Sequence, residues 1–238
     1  GNSDDFSNSV TVIPIAVPDK PTNVSSSAEN DGTVIITFTP GADNGTAITD
    51  YNYQIDTGSW VSVGSTLPYT SFTITTTDGS TPLSNGTEYD IKLRAVNSAG
   101  DGAESSVTSV TPATKPDPPT ITDDTTGDNN SAIIHFTAGA NNGRTITNYK
   151  YSVDGATAVE LGNTTTPFTI TSLINGQSYS ITLYAYNEMG WSDVSVAKIV
   201  TPEAVPDSPI INTTTPGNQQ IEITFTPGND NGSTITNY

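Results

Sequence analysis

Hydrophobic and polar residues alternate along this chain with a period of two, and no stretch carries the 3.6-residue period of a helix. Ala132, Ile134 and Phe136 alternate with the residues between them, and Val34, Ile36, Phe38 and then Ile221, Ile223, Phe225 repeat the pattern. Each predicts a strand with one buried face. The clearest stretch begins with a short strand around Ile121, then the Ala132 strand and a Gly/Asn turn over 139–143. A third strand holds Ile146, Tyr149, Tyr151 and Val153, and another holds Phe168 and Ile170. Tyr179, Ile181, Leu183 and Ala185 then alternate inward, and a last strand over 194–200 closes at Thr201-Pro202. About seven short strands separated by turn signals predict an antiparallel β-sandwich.

That succession recurs. The sequence Asn-Gly-x-x-Ile-Thr-(Asn/Asp)-Tyr occurs at 44–51, 142–149 and 231–238, which marks a tandem array of folded units. Pro18, Pro116 and Pro206 open equivalent segments, so the repeats are 98 and 90 residues long, enough for each to bury its own core. The expected organisation is the last strand of a preceding repeat in 1–17, full repeats in 18–114 and 115–204, and the first strands of a further, incomplete repeat in 205–238. The third motif runs into the C-terminus, so the expectation is a fragment of a longer chain. Proline fixes φ, so the spacers 18–21, 115–119 and 206–209 are semi-rigid. Strands of roughly ten residues at ~3.3 Å per residue make each bead roughly 30–40 Å long. The predicted array is therefore a string of beads that holds a distance.

Charge narrows the partners. The 238 residues carry 25 acidic against 7 basic side chains, a net charge of −18, scattered rather than clustered. Phosphate would repel such a chain, so no nucleic acid and no anionic membrane is expected as a partner. With no cysteine, neither disulfides nor thiolate metal sites hold the modules, and the hydrophobic core carries their stability. The sequence shows no transmembrane run and no signal peptide.

Leu173-x-Asn-Gly-x-x-Tyr179-x-Ile-x-Leu-x-Ala185-x-Asn187-x-x-Gly190-x-Ser192 resembles the sixth and seventh strands of fibronectin type III domains, and Leu83-x-Asn-Gly-x-x-Tyr89-x-Ile-x-Leu-x-Ala95-x-Asn97-x-x-Gly100 matches equally well. The resemblance covers both full repeats. It implies tandem immunoglobulin-like, seven-stranded sandwiches in which Tyr89 and Tyr179 are tyrosine-corner residues, each hydroxyl bonded back to nearby backbone. Phe38, Phe136 and Phe225 stand where that family usually has tryptophan on its second strand. The Asn-Gly-x-x-Ile-Thr-Asn-Tyr variant is similar to modules of secreted bacterial and viral surface proteins.

Candidate chemistry is sparse. His135, the one histidine, lies between inward-facing Ile134 and Phe136 and should point to solvent, leaving no Ser/His/Asp triad. The expectation is no enzyme. No cofactor is expected either; calcium, needing six to eight oxygen ligands, would have Asp123 and Asp124 as its first suspects, although turn chemistry explains the acidic clusters. Trp191 lies in the loop joining the last two strands, where it could contact a partner, stack on a sugar, pack on the neighbouring module or cover a strand end; Trp60 reads as an edge-strand cover. Asn-x-Ser/Thr sequons at Asn23, Asn44, Asn85, Asn129, Asn163, Asn212 and Asn231 are candidate glycosylation sites in a glycosylating source. Lys92 and Lys150 fall on outward phases, which excludes an isopeptide bond in the core.

The sequence therefore predicts a non-catalytic fibre or stalk, extracellular or on a cell or virion surface, whose partners are neighbouring modules of the same chain or fibre. One alternative is an adhesin contacting cell-surface protein or glycan through its loops. Another is a spacer in a secreted carbohydrate-active enzyme.

Overall fold

The computed structural model describes residues 14–29, 31–64 and 70–238, so most of the expected strand in 1–17 lies outside the described residues. The chain divides into two compact units, Gly1–Thr114 and Lys115–Tyr238. Among the described residues every regular element is a strand. The first unit contains β1 (Thr22–Glu29), β2 (Thr33–Thr39), β3 (Ile48–Ile55), β4 (Val61–Ser62), β5 (Ser71–Ile74), β6 (Tyr89–Asn97), β7 (Gly100–Asp101) and β8 (Thr108–Val110). Its two sheets run β1-β2-β5 and β4-β3-β6-β7, with β8 also paired to β6. The inward phase of β2 meets Tyr51, Tyr53 and Ile55 of β3 and Tyr89, Ile91, Leu93 and Ala95 of β6. A fully buried aliphatic side chain contributes about 1.5–3 kcal/mol, so this alternation is what closes the sandwich.

The second unit repeats the plan with β9 (Thr120–Ile121), β10 (Thr126–Asp128), β11 (Ser131–Ile134), β12 (Phe136–Thr137), β13 (Asn148–Val153), β14 (Val159–Glu160), β15 (Phe168–Thr171), β16 (Tyr179–Asn187), β17 (Gly190–Trp191) and β18 (Lys198–Val200). One sheet runs β10-β11-β15, a second β14-β13-β16-β17 with β18 on β16, and β9 pairs with β12. Registers match across the modules: Tyr51 pairs with Ala95 and Tyr53 with Leu93, as Tyr149 with Ala185 and Tyr151 with Leu183. The phenylalanines in the family's tryptophan place do the same work twice. Phe38 meets Tyr51 edge-on at 4.7 Å between ring centres, and Phe136 meets Tyr149 at 4.6 Å.

Two strands differ from the periodicity, each for a side-chain reason. The Ala132 strand is interrupted at His135, where the Thr125 hydroxyl accepts from His135 N at 3.0 Å and donates to its carbonyl at 3.1 Å, while Thr122 N also donates to that carbonyl at 2.9 Å. The predicted last strand over 194–200 is regular only from Lys198. Before that point Ser192 N and Ser195 N still donate to the Ala185 and Leu183 carbonyls at 2.8 and 2.9 Å, but the return bonds go to side chains: the Ser192 and Ser195 hydroxyls accept Ala185 N and Leu183 N at 3.0 and 2.9 Å.

Segment 205–238 contributes β19 (Ile210–Gly217) and β20 (Gln220–Thr226), paired as a hairpin. Ile221 and Ile223, in the phase that buries Val34 and Ile36, are 67% and 52% exposed, since among the described residues no second sheet covers them.

Candidate functional site: the Asn-Gly clasps and the outer sheet face

The repeated Asn-Gly motif is a fastening. Asn44, Asn142 and Asn231 all adopt a left-handed backbone, with φ of 54°, 49° and 50°, which aims the side chain back at the segment leading into its module. Asn44 Nδ2 donates to the Val17 carbonyl at 2.9 Å and to Asp19 Oδ1 at 3.2 Å. Asn142 Nδ2 donates to the Lys115 carbonyl and to Asp117 Oδ1, both at 3.0 Å. Asn231 Nδ2 donates to the Val205 carbonyl at 3.0 Å and to Asp207 Oδ1 at 3.1 Å. The same three aspartates donate their backbone N–H to Ala42, Ala140 and Asn229 at 2.8–2.9 Å. Close approach makes the preceding glycine obligatory: a Cβ on Gly41, Gly139 or Gly228 would lie 2.3, 2.4 or 2.1 Å from the carbonyl oxygen of Asp19, Asp117 or Asp207.

Buried asparagines brace the turn from beneath. Asn97 Nδ2 donates to the Asp43 carbonyl at 3.0 Å and also to Ala16 at 2.8 Å, and Asn187 Nδ2 donates to the Asn141 carbonyl at 3.1 Å. Both sit at the end of the tyrosine-corner strand and are almost fully buried, where an unpartnered amide would cost about 1–3 kcal/mol.

A second Asn-Gly pair holds the outgoing end. Gly86 N donates to the Pro112 carbonyl at 2.9 Å and Asp31 N to Ala113 at 3.2 Å, while Asn85 bridges Gly32 N and Asp31. In the second unit Gly176 N donates to the Pro202 carbonyl at 2.8 Å, and Asn175 bridges Asn130 N and Asn129. Two residues further on, Ala204 N donates to the Asn231 carbonyl at 2.9 Å. Only Glu203 separates those two holds. Here the outgoing and incoming glycines meet, since a Cβ on Gly232 would lie 2.6 Å from Gly176 N.

Next to the outgoing clasp stand the corner tyrosines. Tyr89 Oη accepts from Ser84 N at 3.0 Å, and Tyr179 Oη from Ile174 N at 2.9 Å, with both rings in the core.

The remaining candidates are engaged locally. His135, its side chain 33% exposed, places Nδ1 3.1 Å from Asp124, whose other oxygen accepts from the Thr122 hydroxyl. Asp123 turns instead to Lys198 at 2.6 Å. Hydrogen bonds from Lys198 to Asp123 and from Thr122 to Asp124 hold both carboxyls below their usual range. The two calcium suspects thus point to different partners, and among the described residues no three His, Cys, Asp or Glu side chains gather. Asp78 is held lower still by the backbone N–H groups of Thr81 and Ser80. Lys92, on the outward phase, pairs with Glu104 at 3.0 Å.

Among the sequons, Asn44 and Asn231 spend both amide hydrogens on a clasp, so a glycan on Nδ2 and a closed clasp exclude each other. Asn23, Asn163 and Asn212 donate to Thr39, Leu161 and Thr226. Asn85 donates to Asp31, and Asn129 enters its clasp through its oxygen.

The outer face of the β3/β6 sheet and its β13/β16 counterpart differ in their side chains. In the first, the Arg94 guanidinium lies 4.3 Å over the Trp60 ring and pairs with Asp101 at 2.8 Å. In the second, Tyr184, Tyr186 and Trp191 occupy the positions of Arg94, Val96 and Asp101. The Lys150 ammonium lies 4.2 Å over Trp191 and 4.8 Å over Tyr184. Trp191 is therefore half-buried against its own module.

The clasp was only half visible in the sequence. Its Asn-Gly turn stood out, but its acceptors did not. The signal was present: an aspartate in each proline spacer precedes the clasp asparagine by 25, 25 and 24 residues.

Comparison with known proteins adds three likenesses. Residues 19–111 match the family model described as Fibronectin type III domain. Over 194 residues the chain is 29% identical to the Kelch domain-containing protein of Sulfurisphaera tokodaii, covering 82% of this chain and 25% of that protein. The chain thus spans about a quarter of that relative's length. The crystal structure of chicken CNTN1 FN1-FN3 domains is 18% identical at a TM-score of 0.40, covering 88% of this chain and 76% of that one.

Proposed function

Residues 19–111 are a fibronectin type III domain and 115–204 repeat its sandwich, and from that premise we propose that the chain is a structural spacer: part of an extracellular fibre or stalk, at a cell or virion surface, that holds other parts at a distance. The observation that carries this reading is the clasp, recurring with the same donor, the same carbonyl and the same aspartate in all three repeats. A turn serving only to reverse the chain needs no such partners. One that must keep an incoming segment from swinging does.

Fibronectin type III domains are generally non-catalytic modules, which agrees with the engaged state of His135, Asp123 and Asp124. Among the described residues no helix is long and apolar enough to cross a membrane. The scattered −18 charge opposes lateral aggregation of such a fibre.

Distance measurement between modules tests the spacer. The chain has no cysteine, so exposed Thr73→Cys and Thr169→Cys would carry the only two spin labels. The expected result is one narrow distance distribution that broadens on Asn142→Ala. A broad distribution in the unaltered chain would sink the reading.

A further inference from the structure

The second module carries a cleft on the side of Tyr186. It has a volume of about 310 Å³ and is lined by Arg144, Thr145, Thr147, Tyr186 and Glu188. Arg144 and Glu188 form an ion pair across it, and an Arg144 Nη donates to the Gly143 carbonyl at 2.9 Å, so the guanidinium is fixed in place. Tyr186 forms one wall, and the Trp191 ring stands beside it with centroids 4.9 Å apart, extending the aromatic surface towards Lys150 and Tyr184.

At the equivalent positions the first module has Thr46, Ala47, Thr49, Val96, Ser98 and Asp101, with no ring and with Asp101, paired to Arg94, as the one charge among them. There Thr46 and Ser98 merely bond each other at 3.0 Å. Framework residues are the same in both modules, so the sandwich does not require the cleft's chemistry.

We propose that this cleft and the rings beside it bind a neutral pyranose unit of a glycan. A pyranose offers a flat face of C–H groups and a rim of hydroxyls that both donate and accept. Tyr and Trp present amphipathic rings suited to the first. A guanidinium, which only donates, and a carboxylate, which only accepts, suit the second, with two threonine hydroxyls able to do either. The volume lies at the lower end of small-ligand pockets, as a single sugar unit requires. Sulfated or carboxylated sugars are disfavoured by the −18 charge of the chain. Lys150 lies over the Trp191 and Tyr184 rings, and Tyr186 is the aromatic wall of the cleft.

This goes beyond the spacer reading and does not rest on it. The test is an amide-shift NMR titration of the full chain with four probes: cellohexaose, maltohexaose, chitohexaose and mannohexaose. The expected result is saturable shifts at residues 144–147 and 186–191 with at least one probe. Trp191→Asp and Tyr186→Val import the first module's own residues and so preserve the fold; each should weaken that binding about tenfold or more. Trp60→Ala should leave it unchanged. No saturable shift with any probe, or shifts that survive both second-module substitutions, would overturn the proposal. Either failure would leave the inter-module distance, and so the spacer, untouched.

Discussion

The two full modules agree inside and differ outside. Ile91, Leu93 and Ala95 find exact counterparts in Ile181, Leu183 and Ala185, all with no exposed surface. The Asn-Gly turns, their aspartates and the glycines beneath them also coincide. On the outer sheet face the likeness ends: Arg94 over Trp60 in one module, Lys150 among Tyr184, Tyr186 and Trp191 in the other. What repeats is what packs the sandwich and fastens its incoming segment. What varies is the face that neither task uses, and that face is where a repeat can acquire a role of its own.

If the cores are equivalent, the largest effects should be equal in the two modules. Leu93→Ala and Leu183→Ala each remove a fully buried side chain and should each cost about 2–5 kcal/mol. Urea unfolding followed by module-specific NMR signals would show only the altered module melting early. A loss in one module that lowered the other equally would break the picture of independent cores.

The next test concerns the corner. Tyr89→Phe and Tyr179→Phe remove the acceptor for Ser84 N and Ile174 N, which should cost about 1–3 kcal/mol each in the same assay. Unequal losses would show that the outgoing clasps differ despite their shared sequence.

These core and corner residues were legible because alternation and fixed spacing report burial directly. Val34, Ile36 and Phe38 read as inward and are inward. The same pattern in Ile221 and Ile223 shows the limit, since period two predicts a face but not the sheet that covers it. Outside the core, legibility depended on whether a partner lay near in sequence. At the breaks at His135 and before Lys198, hydroxyls of Thr125, Ser192 and Ser195 take backbone N–H groups that a regular ladder would pair, which strand propensity does not encode. The clasp joins residues about two dozen positions apart, and its aspartates looked like ordinary spacer residues. Trp191 was read as a loop anchor or as packing, and only its cross-strand neighbour Tyr186 reveals an aromatic face.

The smallest predicted effect sharpens the difference between loops. The first module's longer 75–82 segment is organised around Asp78, whose carboxyl accepts from Ser80 and Thr81 and is held well below the usual carboxylate range. A depressed folded value stabilises the loop above the ordinary carboxylate pKa of about 4 and ceases to do so as pH falls through the folded value. Side-chain carboxyl shifts followed through an acid titration should therefore place Asp78 below the other exposed aspartates of its module. An Asp78 midpoint at the ordinary value would remove this contrast.

The central claim is that the clasps hold the incoming segments still. Backbone ¹⁵N relaxation at Lys115 and Asp117 tests it most directly, with Asn142→Ala as the comparison. The account predicts order parameters near the rigid value of about 0.85 in the unaltered chain, falling towards about 0.6 when the asparagine is removed. Low values in the unaltered chain, or no change on substitution, would contradict it.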